Sequence, residues 1–183
     1  MTIKDTIDEL RSDLSIKMKN GILFIIAGSV SWLVMMLIWL LNKDVFMNNL
    51  FSVIVGGMVS TFAYFLSRLT KIPFSAPENH LGILGLILNL SSLFYIPFNF
   101  LLLFFVPEYL ITSLATITGA HFFGYFWLYK TVWYAVFAGV IVIGVFLIKL
   151  LLPFEMIYMI PLFMFLALGV LSIILYKESK NKR

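Results

Sequence analysis

Apolar residues in this chain come in long unbroken runs rather than in alternation. Six runs reach or approach the roughly 20 residues that carry a helix through a bilayer: 21–41, 50–67, 81–106, 109–129, 131–152 and 156–176. Helices are expected, because a chain in lipid must satisfy its backbone polar groups within itself. A β-barrel would instead show alternation over about ten residues. Residues 1–20 have a different pattern. Ile3, Ile7, Leu10 and Leu14 recur at helical spacing, with charged residues between them. This predicts an amphipathic helix on the membrane surface, with Thr2 and Asp5 as a capping pair. The predicted fold is all-α: an interfacial helix (1–20), a six-helix transmembrane bundle (21–176) and a basic tail (177–183). The tight connections Val106-Pro107-Glu108 and Pro153-Phe154-Glu155 place Glu108 and Glu155 at helix starts. A longer loop, 68–80, is kept non-helical by Pro73 and Pro77.

Composition strengthens this reading. Hydrophobic residues make up 62% of the 183 and charged ones 12%, which a soluble globule of this size could not bury. The net charge of +4 therefore reads as topology signal and anionic-lipid contact, not as nucleic-acid binding. With six crossings, eleven Lys and Arg fall on the side of the termini and only Lys43 and Lys149 on the other. Both termini are predicted cytoplasmic by the positive-inside rule. The first run lacks a cleavage signal, so no removable leader is expected. Trp39, Trp127, Tyr129, Trp133 and Tyr134 read as an interfacial aromatic belt.

The chemistry on offer is narrow. There is no Cys, which excludes thiol redox and thiolate metal sites. Two His, at 80 and 121, exclude a multi-His centre, and neither a metal nor a cofactor is expected. No membrane-enzyme motif is recognisable, and enzymatic function is not the leading expectation. His121 is the one ionisable residue deep in a run, and such residues are functional candidates by default. Thr118 and Tyr125 share its helix face. In the third run Asn89, Ser92 and Asn99 follow one face, and Pro97 is expected to kink the helix. Together His121, Thr118, Tyr125, Asn89, Ser92 and Asn99 form a candidate ligand site, provided the third and fourth runs touch. His121 would sense protonation or hydrogen-bond the ligand. The alternative is that these groups only bond helix to helix. Ser52, Gly56 and Ser60 recur at intervals of four and read as a packing face, inside the bundle or at a homo-oligomer seam.

Residues 77–82 (PENHLG) and 119–130 (GAHFFGYFWLYK), with the six-run layout, resemble a family of small bacterial multi-pass proteins catalogued as a domain of unknown function. In that pattern the third span opens on an Asn-Pro-Leu-Gly-like element, and here His80 stands where Pro is expected. The fourth carries Ala-His followed by Tyr-x-Trp-Leu-Tyr-Lys, matched by Ala120, His121 and 125–130. The resemblance implies a bacterial plasma membrane, carries no activity, and draws attention to His121, Tyr125 and Trp127.

Three functions follow as expectations. The first is binding or transport of a small, weakly charged or lipophilic ligand. The second is an accessory or immunity-type protein working through a partner, using the leader helix and the Ser52 stripe. The third is a lipid-modifying enzyme using Glu78 and His80 at the cytoplasmic face.

Overall fold

The computed structural model describes residues 3–182, so Thr2 of the expected capping pair and Arg183 of the basic tail lie outside the described residues. The described chain is all-α: α1 (Ile3–Lys17), α2 (Ile22–Leu41), α3 (Val45–Gly57), α4 (Val59–Thr70), α5 (Gly82–Leu90), α6 (Ile96–Phe105), α7 (Leu110–Tyr129), α8 (Trp133–Leu151) and α9 (Met159–Asn181). Short 3-10 turns join several of them.

Contacts sort the connections into two ends. At one end, α1 meets the loop before α5, the end of α7 and the end of α9. Asn79 donates to Leu10 O, Arg11 to Trp127 O, and Lys182 to Ser15 and to Lys130 O. At the other end Asn49 donates to Pro107 O, Lys149 to Glu108 O, and Trp39 packs edge-on to Phe154. Helices α2 and α9 run antiparallel. Along α2 and α9, Asn20 reaches Leu175 O and Ser29 bonds Phe165 O.

Three of the described helical stretches are long and apolar enough to cross a membrane: Lys19–Leu41, Trp133–Leu151 and Phe154–Asn181. A fourth is reached if α3 and α4, bent by 44°, count as one. Three of the six runs thus differ from the expected uninterrupted apolar helix. The run 50–67 starts earlier, at Val45, where Asp44 caps α3 by accepting from Met47 N, and it breaks at Met58. The run 81–106 is interrupted by a 3-10 turn, Ser91–Tyr95. The break therefore precedes Pro97, which sits in the first turn of α6, where its missing N–H costs nothing. Hydroxyls of Ser91 and Ser92 bond back to Leu88 O and Asn89 O, competing with the helical ladder at that point. The run 109–129 is helical but carries His121, three Thr and two Gly.

The tail is also different. Residues 177–181 continue α9, and Lys182 reaches Ser15, Asn20 Oδ1 and Tyr129 O while pairing with Glu178. With that many acceptors Lys182 clamps the end of the basic tail to the leader, while Lys177 and Lys180 stay exposed. The leader is likewise docked: Leu14, Ser15 and Met18 are buried, and Arg11 lies 4.5 Å over the Trp127 ring. Asn79 donates to the Asp13 carboxylate, and this bond, with Lys17 beside it, holds the Asp13 carboxyl below its ordinary 3.8 despite opposing burial. Lys17 is raised, first by its bond to Asp13.

Two glycines make these junctions possible. Lys19, Asn20 and Gly21 turn the chain from α1 into α2 with φ of 46°, 58° and 73°. A Cβ on Gly21 would stand 2.7 Å from the Tyr129 ring. A Cβ on Gly82 would strike Ala76 O, so the start of α5 can close on the preceding loop only with Gly there.

The aromatic belt is corrected in part. Trp39, Tyr129 and Tyr134 are buried, and Trp39 donates to Ser52 Oγ. Tyr125, Tyr129 and Tyr134 pack against one another with centroids 5.6–6.0 Å apart, and Tyr134 donates to Asn20 O. Ring stacking inside the bundle satisfies them better than the interface would.

Candidate functional site

The segment from α5 to α6 lies antiparallel to α7. Gly85 faces Leu128, Leu88 faces Gly124, Ser91 faces His121, and Asn99 faces Ser113. The contact on which the candidate site depends is therefore present. Between this pair and the wall formed by α2, α3 and α4 lies a cavity of about 210 Å³. All six candidate residues line it: His121, Thr118 and Tyr125 from α7, Asn89 from α5, Ser92 from the 3-10 turn, and Asn99 from α6.

Their own bonding differs. The His121 Nδ1–H donates to Ile117 O at 2.7 Å, and Nε2 lies 2.9 Å from Ser91 Oγ. The Tyr95 ring stands edge-on to the imidazole at 5.7 Å. Thr118 donates to Leu114 O, leaving its lone pairs for the cavity. Asn89 donates one amide hydrogen to Ser60, and Asn99 accepts from Ser113 at a long 3.4 Å. Ser92 is exposed, and Tyr125 makes only a 3.5 Å contact to Gly85 O. Apart from Ser31 the remaining walls carry no hydroxyl, amide or charged side chain, and they include Phe24, Trp32, Met35, Leu114 and Phe122. Among the described residues no Asp, Glu, Lys or Arg lines the cavity.

Two contributors were not anticipated. Ser91 is the partner of His121, although a continuous helix would turn it away from the Asn89 face. The 3-10 turn re-aims it, and nothing in the run's apolarity signals that turn. Ser31 of α2 lines the same cavity, and its buried hydroxyl has no partner among the described residues. Its spacing from Gly28 and Met35, three and four residues away, was the available sign.

The stripe on the second run is used within the chain. Ser52 bonds Trp39 and Asn48 O, Gly56 faces Met35, and Ser60 receives Asn89. Glu78 pairs with Lys17, and His80 is exposed, so the structure does not join them as an acid–base pair. Arg68 stacks on Tyr64.

A second cavity, about 150 Å³, lies toward the leader, between α2, the loop before α5 and the tyrosine stack. It shares Phe24, Ile25, Asn89 and Tyr125 with the first. Those four side chains form the partition between the two chambers.

Over residues 7–178 the chain matches the model of a family of unknown function, DUF7010. No curated protein and no solved structure matches it.

Proposed function

The chain belongs to DUF7010, a family of unknown function, and from the geometry of its own site we propose that it binds or moves a small, weakly charged or lipophilic ligand through the membrane-embedded cavity beside His121. One observation carries this reading. Polar side chains from four separate elements converge on a single, mostly apolar chamber and leave part of their hydrogen-bonding capacity unused. Ligand sites have this character: an apolar enclosure with a few placed polar groups.

The proposal places the protein in a bacterial plasma membrane with six crossings. The bent pair α3–α4 counts as one crossing, and α5–α6 as another. The alternation of connections between two ends supports six passes, and broken helices are tolerated at membrane depth where they line a cavity. The eleven-to-two split of basic residues supports cytoplasmic termini, with anionic lipids at that face. A partner-protein role draws less support, because the Ser52 stripe and the Leu14 side of the leader are covered within the chain.

Native mass spectrometry from lipid nanodiscs tests the reading. A small-molecule mass should accompany the intact chain. Gly57 lines the cavity at an exposed position where a Cβ meets nothing within 4 Å, so Gly57→Phe has open space to start into and its ring is expected to block the chamber. That variant should keep its helical signal and lose the added mass. A bare wild-type chain, or an unchanged adduct on Gly57→Phe, would remove the cavity as the site.

A further inference from the structure

Two helix pairs are broken, and their breaks flank the first cavity. The helices α3 and α4 have 13 and 12 residues, and α5 and α6 have 9 and 10, so each break falls about halfway along its pair. On the leader side of the breaks, Asn89 of α5 donates to Ser60 of α4 at 3.1 Å. On the far side, Phe46 of α3 packs on Phe104 of α6 with ring centroids 6.1 Å apart. Between these two ties lie Gly57, Ser92 and Ile96. Among the described residues they are the exposed members of the chamber's lining, whereas Ile25, Ser31, Trp32 and Met35 on its α2 wall are buried. The arrangement is a side window, framed by two breaks and tied shut at either end. With each pair counted as one crossing, the window lies at mid-depth and opens onto hydrocarbon rather than onto either aqueous face.

That position limits what enters. An ion would have to cross hydrocarbon, and inside it would meet no Asp, Glu, Lys or Arg among the described lining residues. The chain itself engages both ring nitrogens of His121, through Ile117 O at Nδ1 and the Ser91 hydroxyl at Nε2. The spare polar groups are donors. Asn99 is 6% exposed; its Oδ1 accepts from Ser113, and its Nδ2 has no partner among the described residues. Asn89 has a second amide hydrogen beyond the one given to Ser60. Amide donors in an uncharged, mostly apolar chamber fit a neutral molecule that presents an acceptor oxygen.

We infer that the occupant is an uncharged, lipid-dissolved molecule with an acceptor oxygen, such as a carbonyl or ether, and that it enters sideways through the window between Gly57 and Ser92, its oxygen meeting the Asn99 amide. The inference rests on the ligand-binding reading and on its six crossings.

The full chain in nanodiscs tests it by fluorescence. The neutral probe is para-bromoacetophenone, its charged counterpart at about pH 8 is para-bromobenzoate, and para-bromotoluene is the analogue without an acceptor. Bromine quenches tryptophan at close range, and Trp32 lines the chamber. Quenching that saturates in wild type and is missing in Trp32→Phe therefore reports occupancy. The ketone should produce it and the benzoate should not. Asn99→Leu should weaken the ketone about three- to tenfold, to the level of para-bromotoluene, and leave para-bromotoluene unchanged. Ser92→Phe, at the exposed window, should slow the onset of quenching about tenfold in stopped flow. Ser75→Phe, at the exposed loop edge of the second cavity, should leave the onset unchanged. The chain has no Cys, so a spin label on Ser92→Cys reports one site, and that site should be more accessible to oxygen than to a water-soluble nickel chelate.

Equal occupancy by the benzoate would overturn the inference, and so would unchanged ketone affinity in Asn99→Leu. Slowing by Ser75→Phe but not by Ser92→Phe would move the entrance to the leader side and overturn it too. Greater access of the nickel chelate at position 92, or no quenching that depends on Trp32, would do the same. If the native small-molecule mass persists in any of these cases, only this inference falls; if that mass is absent as well, the ligand reading falls with it.

Discussion

The helix α2 and the segment Gly82–Phe105 line the same cavity but are held in different ways. In α2, ten residues are buried, among them Ile25, Ser31, Trp32 and Met35. It packs along α9, where Gly28 lets Leu168 approach and Ser29 bonds across to Phe165 O. In α5 no residue is buried, and in α6 only Asn99 and Leu103 are. This segment turns Ile83, Ile87, Phe94, Phe98, Leu101 and Phe104 outward, as suits a lipid-facing wall. It packs on the bundle through Leu84, Leu88 and Leu103, and its hydrogen bonds to it are Ser91 to His121, Asn89 to Ser60, and Ser113 to Asn99. Such bonds in membranes contribute roughly 0.6–2 kcal/mol each. One wall is thus buried along most of its length, and the other is held by sparser packing and a few hydrogen bonds around a break. Of the two walls, Gly82–Phe105 has the less buried surface to lose on moving, as the proposed ligand entry would ask of it.

The largest test of this contrast is truncation on each side. Leu168→Ala, in the buried seam against α2, should cost about 2–5 kcal/mol of unfolding free energy in mixed micelles. Leu101→Ala, on the outward face of α6, should stay within about 0.5 kcal/mol of wild type. Equal losses would mean that the two walls are equally packed. A smaller effect concerns the break. If Ser91 and Ser92 set it, Pro97→Ala should leave the spin-label distance between positions 86 and 104 unchanged and cost no more than about 1 kcal/mol. A lengthened distance would return the kink to Pro97. The smallest effect is at the anchor of the Gly82–Phe105 wall. Asp13 holds Asn79 just before α5, and its carboxyl lies below its ordinary value in the fold. A depressed carboxyl stabilises the docked leader fully above pH about 4, and that contribution is lost as pH falls through the lowered value. Protection of residues 76–82 against hydrogen exchange, taken relative to the intrinsic rate at each pH, should therefore fall on acidification in wild type. In Asp13→Asn that step should disappear.

Some of this was legible without coordinates. Long apolar runs announced helices, because backbone in lipid has no other partner, and the 3.6-residue period placed His121 with Thr118 and Tyr125, and Asn89 with Ser92 and Asn99. The same period exposed the leader's stripe of Leu10 and Leu14. The resemblance carried by residues 77–82 and 119–130 pointed to a family of unknown function, and the match over 7–178 agrees.

Apolarity and period alone settle which residues are able to share a face, since both follow from helix geometry and transfer free energy. They do not settle continuity. The break at Ser91–Tyr95 arises from local side-chain competition for backbone carbonyls, which barely alters the hydropathy of the run. Nor do they settle which faces meet. That α5 and α6 lie against α7, that Ser31 joins their cavity, and that Lys182 reaches back to Ser15 and Asn20 are contacts between residues far apart in the chain. Only the packing of the whole bundle selects them, because each depends on which groups remain unpaired once every other helix is in place.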